Sequence, residues 1–368
     1  MTARIQSGRL SVFATAAFLP GEPVSSSQLL AKIHQSFGIK SIKGKALARV
    51  LGIETRHISR DLEKQFESPR IGSRNPDIAA NALDQVLKLA RIDVEKLQYI
   101  VAHTTTPAKL IPPNVAEVAK KLSFQGPVVE LRQACTGFAN ALQLVFGLLT
   151  NSDSDPVAIV GSEVGSVYFD PLQLRNKSSQ WVNLMQMGDG AGAILLGPYN
   201  QPKSSNEAYL TQLYYGKLAG DHTPGFTLDG GSDFPGHSAN QSSLNFNHDY
   251  ESVKLTGGDL FRAGVATIIS AGYRIEDFKF IIPHQVSGHI GSLLADELGV
   301  PENRFFVNAR QVGNLGSAAI WVALHQLRTS GLLAYGDQVL ILGAEATHHV
   351  YGGFVYVHGP LANLDAVS

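Results

Sequence analysis

The 368-residue chain has a single cysteine, two tryptophans and three methionines. One thiol cannot close an internal disulfide, which fits a reducing compartment. Neither sign of charge dominates: 30 Lys and Arg stand against 31 Asp and Glu, a formal net charge of −1. That balance removes any global electrostatic case for nucleic acid. No apolar run approaches the roughly 18 residues a membrane-spanning helix needs. Arg4 and Arg9 before Ser11–Leu19 loosely resemble a signal peptide, with A-x-A at Ala14–Ala16. The apolar stretch is short, however, and Pro20-Gly21-Glu22-Pro23 reads as a turn closing a first strand, so cytoplasmic residence is expected. With 44% apolar and 17% charged residues, the chain can build two core-sized units.

Residues 24–75 are mixed and charged. Beyond them, apolar periodicity predicts a helix over Asp77–Leu89, a strand over Leu97–Ala102 and a helix over Pro113–Leu122. A strand at Val128–Leu131, a helix from Cys135, and strands at Val157–Val160 and Ala191–Leu196 follow. Segment 165–187 reads as irregular, and 198–250 as long loops with a strand near Tyr209–Tyr215. After Gly257 the order returns: helix Asp259–Ala271, strand Phe278–Ile282, helix Val286–Leu298, strand Phe305–Val307, helix Leu315–Leu327, and strands Val339–Leu342 and Phe354–Val357.

The recurrence extends to individual residues. Arg132-Gln133 before Cys135 mirrors Arg310-Gln311 before Asn314. Ala158–Glu163 mirrors Leu340–Glu345, and Val101-Ala102-His103 mirrors Ile282-Pro283-His284. A period of about 180 residues is too long for a solenoid and implies two homologous α/β halves packed through a shared core. The expected division is 1–198, carrying the cysteine, and 199–368, carrying His284 and Asn314.

Cys135, His284 and Asn314 stand at corresponding strand ends and helix starts, where sites of α/β sheets gather. A cysteine at a strand-to-helix junction, beside unpaired first-turn amides and the helix dipole, is expected to favour the thiolate. A thiolate can accept an acyl group from a thioester, while an imidazole N–H and a carboxamide can donate to an oxygen gaining negative charge. Each residue alone admits a structural role: small hydrophobe, core histidine, helix cap. Their concurrence at equivalent ends of one duplicated unit favours chemistry.

Gln133-Ala134-Cys135-Thr136-Gly137-Phe138-Ala139, Gly188-Asp189-Gly190-Ala191-Gly192-Ala193, Pro283-His284-Gln285 and Gly313-Asn314 together resemble the β-ketoacyl-acyl-carrier-protein synthase III family of the thiolase superfamily. The likeness runs from Phe18-Leu19-Pro20 to the C-terminus and includes Gly52-Ile53 through Arg56-His57. It implies a duplicated five-layer α-β-α-β-α fold with two mostly parallel or mixed sheets, and a homodimer. It also implies an acyltransferase of fatty acid or polyketide biosynthesis that needs no cofactor. The resemblance assigns acylation to Cys135 and stabilisation of the extender's thioester oxygen during decarboxylative Claisen condensation to His284 and Asn314. It assigns the oxyanion hole to the backbone amides of Cys135 and, by alignment, Thr347. Gly188–Gly192 would be a structural turn, with no chemistry at Asp189. Substrates would be an acyl thioester (acyl-CoA or acyl carrier protein) and a malonyl- or β-ketoacyl-carrier-protein acceptor.

Three departures from the family pattern matter. Ala346-Thr347-His348-His349 replaces a glycine cluster; adjacent histidines do not suit two ligands of one metal, and no metal is expected. An entrance tryptophan is missing before Arg56, which favours a carrier-bound donor, with Arg56, Lys43 and Lys45 facing the carrier or a phosphate beside Lys40 and Arg49. Arg132, on an otherwise apolar strand, needs a partner, and Glu163 is the expected one. Such a pair resembles ketosynthases of the dialkylresorcinol and cyclohexanedione type, which condense with a β-ketoacyl acceptor and cyclise the product; Arg310 and Glu345 in mirrored positions favour a structural pair. Acyl transfer to an oxygen or nitrogen acceptor without condensation is the remaining alternative. Phe169, Met185, Met187 and parts of 198–250 are the expected acyl-tunnel lining.

Overall fold

The computed structural model describes residues 3–151, 153–199, 207–228 and 246–360. Its strands are β1 (Arg4–Gln6), β2 (Leu10–Phe18), β3 (Val24–Ser25), β4 (Thr55–Arg56), β5 (Tyr99–His103), β6 (Val128–Leu131), β7 (Val157–Glu163), β8 (Gly190–Pro198), β9 (Tyr209–Lys217), β10 (Phe226–Leu228), β11 (Phe246–His248), β12 (Phe280–Pro283), β13 (Gln338–Glu345) and β14 (Val350–Val357). Its α-helices are α1 (Ser26–Phe37), α2 (Ile42–Leu51), α3 (Asn75–Ala90), α4 (Asn114–Leu122), α5 (Gly137–Leu148), α6 (Ser178–Gln186), α7 (Tyr250–Ser270), α8 (Ile290–Leu298), α9 (Ala309–Val312) and α10 (Ala319–Thr329).

The same strand order occurs twice. In the first half it is β6-β5-β7-β8-β2, with β5 parallel to both β6 and β7 and the rest antiparallel. In the second it is β12-β13-β14-β9, again parallel then antiparallel. The place of β6 is taken by Phe305, bridged in parallel to Ile281. The two sheets join edge to edge where β2 meets β9 at Leu10–Leu210 and Ser11–Tyr209.

Three apolar cores separate the layers. Phe138, Leu142 and Val145 of α5 and Trp321 and Leu324 of α10 fill the space between the half-sheets, against Val101, Ile159, Ile341 and Phe354. Ile78, Leu83 and Val86 of α3 cover the outer face of the first sheet, and Leu260 of α7 with Ile290 and Leu294 of α8 covers the second. The expected five layers and mixed sheets are therefore present. Every residue of β7 is buried, since helices lie on both faces.

Differences from the sequence reading have physical causes. Helix α6 lies inside the segment read as irregular; it buries Gln180, Asn183 and Gln186 as well as Trp181, Leu184 and Met185, which erases an amphipathic period. Helix α7 starts at Tyr250 rather than Asp259, because Asp249 caps it by accepting the Ser252 amide at 3.1 Å. Gly257-Gly258 does not end it; a Cβ on Gly258 would meet the Glu297 carboxylate of α8 at 2.2 Å. Phe305–Val307 makes one bridge rather than a strand. Helices α1 and α2 occupy the stretch read only as mixed and charged, α1 opening on a Ser25/Gln28 capping box.

The glycine turn before β8 is a packing device. A Cβ at Gly188 would sit 2.1 Å from the Val312 carbonyl oxygen. Asp189 is buried and accepts from Ser59 N (2.7 Å), Ser166 N (3.0 Å) and Ser166 Oγ (2.5 Å). Gly188→Ala is expected to destabilise the protein by about 1–3 kcal/mol, the usual range for overpacking. Thermal or denaturant unfolding of the variant measures it, and an unchanged midpoint would show that the 312–314 backbone yields.

Candidate active site

Cys135 lies in a turn after β6, two residues before the first residue of α5. The turn is stiffened from within. Gln133 Nε2 donates to Thr136 Oγ1 (2.9 Å) and lies 3.2 Å from Tyr215 OH, while its Oε1 accepts from Asn140 Nδ2 (2.5 Å). Gly137 allows His103 to pack beneath, since a Cβ there would lie 2.7 Å from His103 Nδ1.

His284 follows β12, and its amide donates to the Leu342 carbonyl at 2.7 Å, setting it beside the C-terminal end of β13. Its ring is buried, and desolvation pulls its pKa down to about 4, so it is neutral at pH 7. Asn314 sits in a loop whose amide donates to Gln186 O at 2.8 Å. Its Oδ1 accepts from Gly316 N at 3.0 Å, which orients the carboxamide and leaves the Nδ2 hydrogens to a substrate. Gln186 also donates through Nε2 to Val286 O at 2.7 Å, tying the Asn314 loop to the segment after His284.

Two buried carboxylates tie the cysteine turn to the opposite half. Glu345, the last residue of β13, accepts from Thr136 N (2.8 Å) and Thr136 Oγ1 (2.7 Å), and from Thr347 Oγ1. Glu163, the last residue of β7, accepts from Thr105 N (3.0 Å), Thr105 Oγ1 (2.8 Å) and Thr106 Oγ1, and from Ser317 Oγ (2.5 Å) three residues after Asn314. Ser317 Oγ is also 3.1 Å from the Gln133 carbonyl. The Cys135, His284 and Asn314 segments are thus linked in one network.

Several expectations are corrected. Burial, then the Glu345 and Glu163 charges, pushes the Cys135 thiol well above its ordinary value. The resting group is a thiol, because burial and the two carboxylates outweigh the pull of the helix N-terminus toward the thiolate. Arg132 does not pair with Glu163. It is half-exposed and lies 3.5 Å from Glu130, whose other oxygen accepts the Val115 amide at 2.9 Å. It lies just past the end of β6, where its side chain reaches solvent beside Glu130. The mirrored Arg310 likewise points to Glu54 (3.6 Å), not Glu345.

Arg56 is not at an entrance. It is fully buried, donating to Ser26 Oγ (2.9 Å) and Met185 O (2.7 Å), and desolvation lowers its pKa to about 10. Lys43 and Lys45 are exposed on α2 with Arg49. Helix α2 ends against the His284 segment, where Leu51 O accepts the Gly288 amide at 2.7 Å. Trp181 and Trp321 are buried, donating to Leu174 O and His103 Nε2 (2.9 Å each), so neither offers a stacking face. Thr347 lies in the turn between β13 and β14, and His349 in the same turn is buried against Thr256 Oγ1 (3.0 Å) and Thr223 O (2.8 Å). Phe169 and Met187 line a small, largely apolar cavity of about 20 Å³ with Leu29, Ile58, Leu62 and Leu184, while Met185 is buried in the adjoining core. Of 198–250, residues 200–206 and 229–245 lie outside the described residues.

Sequence reasoning missed Ser317, Thr136 and Gln186 as the ties between these segments. The available signal was the repeat itself, which placed Glu163 and Glu345 in register.

Family models for 3-oxoacyl-[acyl-carrier-protein (ACP)] synthase III match residues 129–211, and the C-terminal model matches 268–355. The first contains Cys135, the second His284 and Asn314. The chain belongs to the 3-oxoacyl-[acyl-carrier-protein] synthase III family. It is 29% identical over 279 residues to β-ketoacyl-[acyl-carrier-protein] synthase III 3 of Streptomyces coelicolor, covering 73% of this chain and 79% of that one. Over 284 residues it is 26% identical to the β-ketoacyl-[acyl-carrier-protein] synthase III of Clostridium beijerinckii, covering 74% and 81%. Its fold is similar to AbyA1, a tetronic acid condensing enzyme (TM-score 0.81, 24% identity, 95% of this chain and 100% of that one). It is also similar to 3-oxoacyl-(acyl carrier protein) synthase III of Pseudomonas aeruginosa (TM-score 0.76, 23% identity, 96% and 99%). Membership of this synthase III family makes the protein an enzyme of the acyltransferase class. Among the described residues no helix is long and apolar enough to cross a membrane.

Burial of His103 gives this synthase III chain a pH dependence of its own. Trp321 donates to Nε2, so the ring is neutral, and desolvation lowers its pKa to about 3. The unfolded chain takes up a proton near pH 6.5 and the folded one does not, so this stabilisation is full above that pH and is lost as pH falls toward 3. Between pH 6.5 and 5 the stability advantage of wild type over His103→Gln should shrink by roughly 2 kcal/mol. Paired unfolding titrations check this, and an advantage independent of pH contradicts it.

Proposed function

We propose that the protein is a ketosynthase that joins an acyl thioester to a malonyl thioester through an acyl-Cys135 intermediate. The observation that carries the reading is the linkage of the Cys135, His284 and Asn314 segments through Glu345, Glu163, Ser317 and Gln186. Nothing else in the fold requires a largely buried thiol, a neutral buried imidazole and an oriented carboxamide to share one network.

In the first half-reaction Cys135 Sγ attacks the thioester carbonyl. The oxyanion is received by the Cys135 and Thr347 amides, the C–S bond to the carrier breaks, and the cysteine proton ends on the departing thiol. In the second, His284 Nε2–H and Asn314 Nδ2–H donate to the carbonyl oxygen of a malonyl thioester as its carboxylate leaves as carbon dioxide. The enolate carbon attacks acyl-Cys135, giving a β-ketoacyl thioester and a cysteine thiolate that regains a proton. A neutral imidazole can donate without adding a competing positive charge, which agrees with the lowered pKa of His284. Simple transfer to an oxygen or nitrogen acceptor needs no enolate holder, and Asn314 favours condensation. With Arg132 directed at Glu130, the pair that would favour a β-ketoacyl acceptor and cyclisation is missing.

An acyl carrier protein is the proposed partner, meeting Lys43, Lys45 and Arg49 of α2. We also infer a homodimer through the outer edge of β6. That edge has no partner strand among the described residues, and its half-buried Val128, Val129 and Leu131 lie in the same half as exposed Leu110 and Ile111.

Whole-protein mass spectrometry with acyl thioesters should show one acyl adduct, abolished by Cys135→Ala; no adduct, or full turnover by Cys135→Ala, refutes the intermediate. Asn314→Ala should cut carbon dioxide release from malonyl thioester by about 10²-fold or more, as for loss of an oxyanion donor, while leaving acylation of Cys135 in place. Absence of carbon dioxide release with every malonyl donor would point to simple acyl transfer instead.

A further inference from the structure

We propose that Glu345 is a positioning residue for acyl transfer: its carboxylate bridges the Cys135 turn and the Thr347 turn and so fixes the spacing of the two backbone amides that receive the oxyanion. This rests on the reading under Proposed function. Oε2 holds Thr136, one peptide beyond Cys135, through both its amide (2.8 Å) and its hydroxyl (2.7 Å). Oε1 holds the hydroxyl of Thr347 itself. A carboxylate has acceptor sites for all three donors and is compact enough to fix them within one hydrogen-bond shell.

The arrangement depends on the substitution of a threonine-containing turn for a glycine cluster. A glycine turn can be held only through its backbone, whereas Thr347 supplies a hydroxyl that anchors it to Glu345. The other end of the turn is pinned as well. His349, at φ +50°, is buried and bonded to Thr256 and Thr223.

Glu345 also acts on the nucleophile through its charge. The charges of Glu345 from β13 and Glu163 from β7 act on Cys135, the neutral His103 of β5 packs against Gly137, and the neutral His284 lies in a segment of the same network. Arg132, just past the preceding strand, is turned to Glu130, and Tyr215 of β9 is engaged by Gln133. No cation among these groups faces the sulfur, so removing the Glu345 charge alters the thiol in a way that loss of packing does not.

The test uses the full-length enzyme with three variants, each checked for an unchanged melting midpoint. Thr347→Val, which keeps the amide and removes the hydroxyl, should slow single-turnover acylation of Cys135 about tenfold or more, with KM for the acyl donor unchanged. Thr347→Ser should restore the rate. Glu345→Gln, which can still accept from Thr136, should shift the iodoacetamide alkylation profile of Cys135 to lower pH. The proposal is overturned if Thr347→Val acylates at the wild-type rate, or if the Glu345→Gln profile superimposes on that of wild type. Failure of the wild type itself to take an acyl group overturns the functional reading as well; wild-type acylation matched by Thr347→Val overturns this proposal alone.

Discussion

Two carboxylates, each at the end of a central strand and each buried, reach out of their own half of the molecule to hold a loop of the other. Glu163 ends β7 and takes the Ser317 hydroxyl from the loop that carries Asn314. Glu345 ends β13 and takes Thr136 from the turn that carries Cys135. An unpaired buried charge is costly, so each must keep its full set of donors. Those donors are the backbone and hydroxyl groups that flank the candidate catalytic side chains. The stability of the interface between the halves and the geometry of the site are therefore one constraint.

The rest of the architecture serves that reciprocity. Helices α5 and α10 lie back to back between the half-sheets and share one core through Phe138, Trp321 and Phe354, whose rings meet at 5.9–6.0 Å. Each helix begins where a site residue stands, Cys135 before α5 and Asn314 before the short turn leading to α10. Duplication has been put to different uses on the two sides. Both rings are buried, but His284 lies in the site network with no partner at Nδ1, whereas its mirror image His103 is held at Nε2 by Trp321. One scaffold position holds an expected electrophile in one half and a packing residue in the other.

Much of this could be read from the chain. The repeat follows from residue matches such as Ala158–Glu163 with Leu340–Glu345, and the strand orders repeat in the structure as those matches imply. Strand β6 falls where the short apolar, β-branched run of Val128, Val129 and Leu131 placed it, because such a run marks a strand whatever surrounds it. Helix α6 did not, since polar residues are buried on it beside apolar ones. Arg56 and Arg132 were misassigned to entrance and pocket for a related reason. A charged residue near a motif says nothing about which way its side chain is turned.

What the sequence determined by itself was local and repetitive: the class of each periodic segment, the duplication, and the three residue types at equivalent junctions. These depend on spacing along the chain, which is written directly in the order of residues. What only the tertiary structure decided was orientation and partnership. Arg56 turned inward to a carbonyl and a hydroxyl, Arg132 turned to Glu130, and the Cys135 thiol was raised by burial and then by carboxylates contributed from both halves. Glu345 and Thr136 are 209 positions apart, and Glu163 and Ser317 are 154 apart. Contacts at such separations arise from the packing of whole sheets, and that packing sets the electrostatics a short motif cannot carry.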